Sequence, residues 1–254
     1  DRIVVVGGGN VAMDVARTSL RLEAESVTVV YRRRVEDMTA QAEEIEGAIA
    51  EGCEILELNA PLSIVTENGK VTGLEVQPQI IGDFDRGRPK PVKADCPPAI
   101  IECERVLMAV GQAIDGESLG INGLTLKRGQ IVANEFGEIE GLPGVFSGGD
   151  CESGPATVIR AIGAGKAAAR NIDTYLGFDH TITCDVNIPV AVTADRMACG
   201  RSNTTERAAD VRKHDFDIME QGLSDQEACQ ESDRCLRCDQ FGFGGFRGGR
   251  TCSW

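Results

Sequence analysis

Residues 1–22 read DRIVVVGGGNVAMDVARTSLRL, and the fold is decided there. Ile3 to Val6 is a short β-branched run, as expected of a strand buried on both faces of a parallel sheet. Three glycines follow. From Asn10 the period changes, and Val11, Val15, Thr18 and Leu22 recur at helical spacing. Strand, glycine turn and helix is the order a Gly-x-Gly-x-x-Gly/Ala turn requires, with Gly7, Gly9 and Ala12 at its fixed positions and Gly8, Asn10 and Val11 between them. Gly7 permits the tight turn, Gly9 lets a pyrophosphate approach the backbone, and Ala12 lets helix and strand pack closely. The helix N-terminus then faces the phosphates. Gly163, Gly165 and Ala168 fit the same spacing, but no strand precedes them. They are expected to lie mid-helix for close packing.

The second β-branched run, Ser26 to Tyr31, ends in Arg32, Arg33 and Arg34. A site for NAD places a carboxylate there for the ribose 2′-hydroxyl, whereas a 2′-phosphate calls for guanidinium groups that bind it through paired charge-assisted bonds. A solvated basic face is the competing reading. In a chain of net charge −14 three consecutive arginines at this point favour the phosphate, and hence NADPH over NADH. Glu36 lies just past them.

The same negative charge argues against nucleic-acid binding. Among 254 residues no run approaches the ~18 apolar residues of a membrane span. No basic-then-apolar leader opens the sequence, so a cytoplasmic location is expected. The scattered cysteines (Cys53, Cys96, Cys103, Cys151, Cys184, Cys199 and Cys229) are expected to be buried reduced thiols.

Further along, Gln41 to Ala50 predicts a helix stopping near Gly52. Leu62 to Thr66 and Val71 to Gln77 predict strands around the hairpin signal Asn68-Gly69. The Pro-, Gly- and charge-rich stretch from Ile80 to Pro98 reads as a mobile loop, and Arg105 to Val110 as a buried strand leading into Gly111-Gln112. A second hairpin is expected around Arg128-Gly129. Val145-Phe146 then ends a strand, Gly148-Gly149-Asp150 turns, and Pro155 suits a first helical position. Val158, Ile162, Ala169, Ile172 and Leu176 form a helical stripe that Gly177 stops. This is again a device for a polar ligand: Asp150 for sugar or ribityl hydroxyls, and the N–H groups of Ala156 and Thr157 for negative charge. An aspartate capping its own turn is the alternative.

Near the C-terminus, Ser224 and Glu227 read as a capping box for a polar helix. Cys235 and Cys238 share a face of it, Cys229 is out of phase, and Cys252 follows a Gly/Phe/Arg-rich stretch. Two readings stay open, a metal or cluster site and a reduced pair in a docking segment. His180 and His214 have no motif around them and are expected at the surface. No side-chain acid or base is nominated.

Three stretches, VVVGGGNVAMDVARTSLRL with VTVVYRRR, VLMAVGQ, and GVFSGGDCESGPATVIRAIGAGKAAARNI, carry a resemblance to the glutamate synthase small-subunit-like NADPH/FAD oxidoreductases of the pyridine nucleotide-disulfide oxidoreductase superfamily. The resemblance spans roughly residues 2–176. It implies an α/β, Rossmann-like three-layer NAD(P)/FAD-binding fold: an NAD(P)H-binding domain (1–117), the C-terminal part of an FAD-binding domain (118–178) and a cysteine-containing extension (179–254). It implies that Gly7, Gly9, Asn10, Val11 and Ala12 with Arg32 and Arg33 hold NADPH, that Gly111 and Gln112 line the dinucleotide pocket, and that Gly149, Asp150, Ala156 and Thr157 contact FAD. The RCLRC stretch resembles a segment that ligates an iron–sulfur cluster in such proteins, which would draw on Cys235, Cys238 and Cys252, with a fourth thiolate from Cys229 or a partner. The opening half of the flavin site is not in the sequence, so a partner chain or a preceding segment is expected to complete it, and FAD binding by this chain alone is expected to be weak or absent. The implied activity is hydride transfer between NADPH and FAD, with electrons passing to an iron–sulfur or partner subunit. A nucleotide-binding docking module without turnover is the rival, and a disulfide reductase ranks behind both.

Overall fold

The computed structural model describes residues 1–85, 87–112, 123–127, 129–180 and 199–235. The chain forms two compact units, Asp1–Gly111 with Ser202–Ser224, and Gln112–Arg201 with Asp225–Trp254.

In the first unit, β1 (Arg2–Val6), β2 (Ser26–Val30), β3 (Glu54–Leu56) and β8 (Arg105–Met108) make a parallel sheet in the order β3-β2-β1-β8. Val6 lies opposite Val30 on one side and Met108 on the other. Alternation along β1 divides its valines between two cores. Val5 joins Val27 and Val29 against helices α1 (Asn10–Arg21) and α2 (Ala42–Glu51), through Ala12, Met13, Ala16 and Ala48. Val4 and Val6 join Val30 on the opposite face, against Leu74, Val76 and Cys103. The continuous valine run is thus buried on both faces, as expected, between a helical layer and an antiparallel one.

The helical face of α1 differs from the expected stripe. Val11 and Leu22 are exposed, and the buried positions are Ala12, Met13, Ala16, Arg17 and Ser19. Small side chains let the helix lie close on the sheet, so the face that packs is not the bulkier one. Gly52 closes α2 in the left-handed region, as its position predicted. The expected buried strand at Arg105 is an edge among the described strands: β8 pairs with β1 alone and is half-exposed.

The antiparallel layer contains β4 (Asn59–Glu67), β5 (Lys70–Asp85), β6 (Arg88–Lys93) and β7 (Ala99–Glu102). Asn68 and Gly69, at φ 51° and 76°, supply the two-residue turn between β4 and β5. The stretch from Ile80 is not a loop. β5 continues to Asp85 and pairs with β6, placing Ile80 opposite Val92 and Ile81 opposite Pro91. Its prolines are tolerated because β6 is an outer strand, where a missing N–H leaves no ladder bond unmade.

Residues 202–224 return to this first unit. Arg207 N donates to Met219 O at 2.9 Å, and Gln221 N to Thr205 O at 2.7 Å, closing a small loop. Arg207 holds Asp215 through two bonds and keeps its pKa down at about 2. One helical turn, Ala209–Arg212, delivers Arg212 onto buried Glu51. Glu51 Oε1 accepts from Arg17 Nε at 3.1 Å and Nη2 at 2.6 Å, and from Arg212 Nε at 2.7 Å, while Arg21 Nη1 lies 2.8 Å from Oε2. A buried carboxylate is tolerated only where such partners compensate its lost hydration.

In the second unit, β9 (Leu126–Lys127) and β10 (Gln130–Ile131) form a hairpin with Gly129 at φ 80°; Arg128 lies outside the described residues. Phe146 makes an isolated bridge to Glu138 rather than ending a strand. Gly149, at φ 87°, turns the chain into a short helical turn, Asp150–Ser153. The long helix, α3 (Val158–Tyr175), begins later than Pro155 suggested, because Thr157 caps it by accepting from Arg160 N at 3.4 Å. Gly177 follows at φ 84°. Gly163 and Gly165 do lie mid-helix, but a Cβ at either would meet nothing within 4 Å, so neither serves close packing among the described residues. α4 (Asp225–Asp233) is the polar helix expected near the C-terminus. No helix of the described residues is long and apolar enough to cross a membrane.

Among the described residues, only Cys53 and Cys103 meet the expectation of buried thiols. Cys151 is half-buried, Cys96, Cys199 and Cys229 are exposed, and Cys184 lies outside the described residues.

Candidate functional site

The glycine turn is built from three different constraints. At Gly7, φ is +150°, and a Cβ would stand 2.3 Å from the Ala109 carbonyl oxygen and 3.2 Å from the Ala12 methyl. The sheet and helix meet too closely there for any side chain. A Cβ on Gly8 would fall 2.4 Å from the Tyr31 ring, which lies against the turn. Gly9 is different, since a Cβ would find no neighbour nearer than Thr39 Oγ1 at 3.5 Å. Its face of the turn is open.

Gly9 is also the N-cap of α1, with no side-chain cap and no acidic residue in the first turn. Its carbonyl accepts from Ala12 N at 2.9 Å and Met13 N at 3.3 Å. Among the described residues the N–H groups of Gly9, Asn10 and Val11 have no acceptor. An uncapped, uncharged helix start with free donors beside an open glycine fits a dinucleotide's phosphates. Val11 stands exposed at this mouth. Asn10 Oδ1 accepts from Gln41 N at 2.8 Å, so its side chain ties the turn to the loop after β2.

That loop folds back on the turn: Thr39 N and Ala40 N both donate to Gly8 O, at 2.9 and 3.1 Å. The arginines it carries divide. Arg34 Nε donates to Asp37 Oδ2 at 2.9 Å, and Arg34 also pairs with Glu36, so its charge is spent on its own loop. The Arg34 hydrogen bond holds the Asp37 carboxyl below its usual range. Arg33 Nε donates to Pro89 O at 2.9 Å, which leaves its two terminal nitrogens. Arg32 is exposed, and among the described residues neither Arg32 nor Arg33 has a carboxylate partner. Glu36, the residue that stood closest to an anionic competitor, is engaged by Arg34.

Arg88 escaped the sequence reading. Its Nη2 donates to Asp37 O at 2.6 Å and lies 3.3 Å from the Tyr31 hydroxyl. Placed in a supposed loop more than fifty residues from the arginine triplet, it carried no local signal.

Of the other expected positions, Gly111 follows β8 at φ 97° and Gln112 is exposed beside it. Gly149 takes the cap position of its helical turn, and among the described residues the exposed Asp150 carboxylate has no partner, so it does not cap that turn. Ala156 and Thr157 stand exposed before α3, whose first residues Val158 and Ile159 are 74% and 82% exposed. A carboxylate without a partner among the described residues, an exposed helix start and bare apolar side chains suit an amphipathic ring ligand with hydroxylated substituents. Cys235 lies just past α4; Cys238 and Cys252 lie outside the described residues. Among the described residues no group of His, Cys, Asp and Glu side chains is placed to hold a metal ion.

Residues 1–165 match the family described as pyridine nucleotide-disulphide oxidoreductase. The NADP(+)-dependent formate dehydrogenase subunit beta of Moorella thermoacetica is 35% identical, over 94% of this chain and 36% of its own length. The NADPH-Fe(3+) oxidoreductase subunit beta of Geobacter sulfurreducens is 33% identical, over 93% and 41%. The glutamate synthase [NADPH] small chain of Escherichia coli K12 is 36% identical, over 69% and 39%. The chain therefore spans about two fifths of these relatives. Among solved structures, thioredoxin reductase of T. acidophilum matches with TM-score 0.51 at 25% identity, over 69% of this chain and 52% of its own. FprA of Mycobacterium tuberculosis shares the fold at TM-score 0.57 and 19% identity, over 69% and 53%.

Proposed function

The chain belongs to the pyridine nucleotide-disulphide oxidoreductase family, and on that premise we propose that it is the NADPH-binding part of a flavin oxidoreductase that moves hydride between NADPH and FAD and sends electrons on to a partner subunit. The observation that carries this reading is the open Gly9 face, with N–H groups at the start of α1 that have no acceptor among the described residues, joined by the Arg32–Gln41 loop to arginines that have no carboxylate partner among them.

In this reading Gly7 sets the turn, Ala12 lets α1 close on it, and Gly9, Asn10 and Val11 present the pyrophosphate with backbone donors and space. Arg32 and Arg33 hold the 2′-phosphate. Arg34 keeps Glu36 and Asp37 away from it. Gly111 and Gln112 line the same dinucleotide pocket, in an NAD(P)H domain spanning 1–117. Gly149, Asp150, Ala156 and Thr157 belong to the FAD-binding part, 118–178, where Asp150 accepts from sugar or ribityl hydroxyls. NADPH and FAD, when bound, would supply the hydride and electron chemistry, while this chain's residues would bind and orient them and neutralise charge. The relatives named above are beta or small subunits, which supports an electron acceptor on another chain.

The test is reduction of an artificial electron acceptor by the chain with added FAD. NADPH-dependent reduction is expected where excess FAD is bound, and binding of both NADPH and FAD without reduction would favour a docking module instead.

A further inference from the structure

Every described arginine of the first unit outside one cluster holds a carboxylate: Arg2 with Glu102 and Glu104, Arg17 and Arg21 with Glu51, Arg34 with Asp37, Arg105 with Asp1, Arg207 with Asp215, and Arg212 with Glu51 and Glu206. Within the first unit, the described arginines without one are Arg32, Arg33 and Arg88. In a chain of net charge −14, unpaired guanidinium groups gathered at one place need an account, and two of the three stand side by side at the end of β2.

The third is brought there by the β5–β6 hairpin. Gly87, at φ 78°, turns the hairpin, and Arg88 opens β6 opposite Asp85. Its Nη2 meets the Tyr31 hydroxyl, and the ring of Tyr31 is the surface against which Gly8 lies. A single aromatic side chain therefore links the glycine turn to Arg88. Tyr31 Oη in turn donates to Asp37 O at 3.0 Å, the same carbonyl that accepts from Arg88, so the guanidinium is fixed in place by neutral groups. The next residue, Pro89, is buried and offers its carbonyl to Arg33 Nε. Of the nearby carboxylates among the described side chains, Asp37 and Glu36 are engaged by Arg34 and Glu57 by Val35 N at 2.6 Å; the Asp85 side chain lies outside them.

We propose that the β5–β6 hairpin is a specificity element for the dinucleotide's 2′-phosphate, Arg88 supplying a third cation to the anion and the Pro89 carbonyl orienting the Arg33 fork. This rests on the reading of Arg32 and Arg33 as the 2′-phosphate site. The hydrogen bonds that hold Arg88 use Nη2, leaving Nε and Nη1 as donors among the described residues. Fixed guanidinium groups bind phosphate with less ordering cost than free ones.

The test is calorimetric titration of the full chain with adenosine 2′,5′-bisphosphate and with adenosine 5′-monophosphate, which differ only in the 2′-phosphate. The chain is expected to prefer the bisphosphate. Arg88→Ala should weaken the bisphosphate by about tenfold or more, leave the monophosphate unchanged, and flatten the salt dependence of the bisphosphate alone. Arg88→Lys should recover part of the loss, since it restores charge without the fork. Unchanged monophosphate affinity certifies that each variant is folded. Equal preference for the bisphosphate in the chain and in Arg88→Ala overturns the role of the hairpin while leaving Arg32 and Arg33 standing. No preference in the unaltered chain overturns the 2′-phosphate site itself, and the hairpin inference with it.

Discussion

Arg212 Nε donates to Glu51 Oε1 at 2.7 Å across 161 residues of sequence. The bond closes the first unit on itself, because Arg212 reaches it only after the chain has passed through the second. Both side chains are nearly inaccessible. Removing one partner of a buried pair strands the other, at a cost of about 3–5 kcal/mol. Arg212→Ala is therefore expected to lower the urea midpoint of the first unit sharply, whereas Arg105→Ala, whose pair with Asp1 is exposed, should change it little. Equal effects in chemical denaturation would show that the closure contributes no stability.

The same carboxylate fixes a pH dependence. Burial pushes the Glu51 pKa up, but hydrogen bonds from Arg17, Arg21 and Arg212 outweigh burial and hold it below its ordinary range. Because the folded value is the lower one, the stabilisation is fully present above the unfolded glutamate value of about 4.3 and is lost as pH falls through the folded value. The gap in urea midpoint between the natural chain and Glu51→Gln should be widest at neutral pH and should narrow on acidification below that window. A gap that stays constant would assign the stabilisation to packing.

Cysteine reactivity should follow burial rather than position in the sequence. Burial and, after it, the Glu51 charge push the Cys53 thiol up to about 11, and burial raises Cys103 as well. An alkylating reagent at neutral pH should modify exposed Cys96, Cys199 and Cys229 first and reach Cys53 and Cys103 only on unfolding. Peptide mapping by mass spectrometry reads the order directly.

The glycine turn separates folding from binding. Gly7→Ala would drive a methyl into the Ala109 carbonyl at 2.3 Å and should destabilise the unit. Gly9→Ala finds its nearest neighbour at 3.5 Å and has an ordinary φ of −104°, so stability should hold within about 1 kcal/mol, the usual range for a changed N-cap. The new methyl would nonetheless occupy the open face that the proposed site gives to the pyrophosphate. NADPH affinity should fall by about tenfold or more, the scale of one or two lost charge-assisted bonds. Thermal melts beside fluorescence titrations distinguish the two effects. Normal NADPH binding by Gly9→Ala would move the pyrophosphate elsewhere.

What the sequence disclosed follows the range of the interactions involved. The turn from Gly7 to Ala12 was legible because each constraint acts within a few residues or on the strand immediately beside it. The packed face of α1 was misread because hydrophobic size drew attention to Val11 and Leu22, whereas close approach selected Ala12 and Ala16. Ile80 to Pro98 was misread because Pro89 and Pro91 look like loop residues until β6 is known to be an outer strand. Arg88 and Arg212 act through partners 57 and 161 residues away, a separation that no local pattern encodes.

The three consecutive arginines looked equivalent in sequence and are not equivalent in the structure, which yields the sharpest prediction. Arg32 and Arg33 lack carboxylate partners among the described residues, while Arg34 is held by Asp37 and Glu36. If the first two bind a 2′-phosphate, Arg32→Ala or Arg33→Ala should each weaken NADPH by about 1.5–3 kcal/mol, the range for hydrogen bonds to a charged group, and leave NADH nearly untouched. Arg34→Ala should weaken NADPH by another route, through release of Glu36 and Asp37 toward the phosphate. A direct contact and an indirect one respond differently to a second change. Glu36→Gln added to Arg34→Ala removes a freed charge and should restore part of the NADPH affinity, whereas Glu36→Gln added to Arg32→Ala should restore little. Parallel NADPH and NADH titrations of the single and double variants measure both couplings. Equal losses for the two nucleotides in Arg32→Ala and Arg33→Ala would mean that these groups read something common to both cofactors rather than the phosphate that distinguishes them.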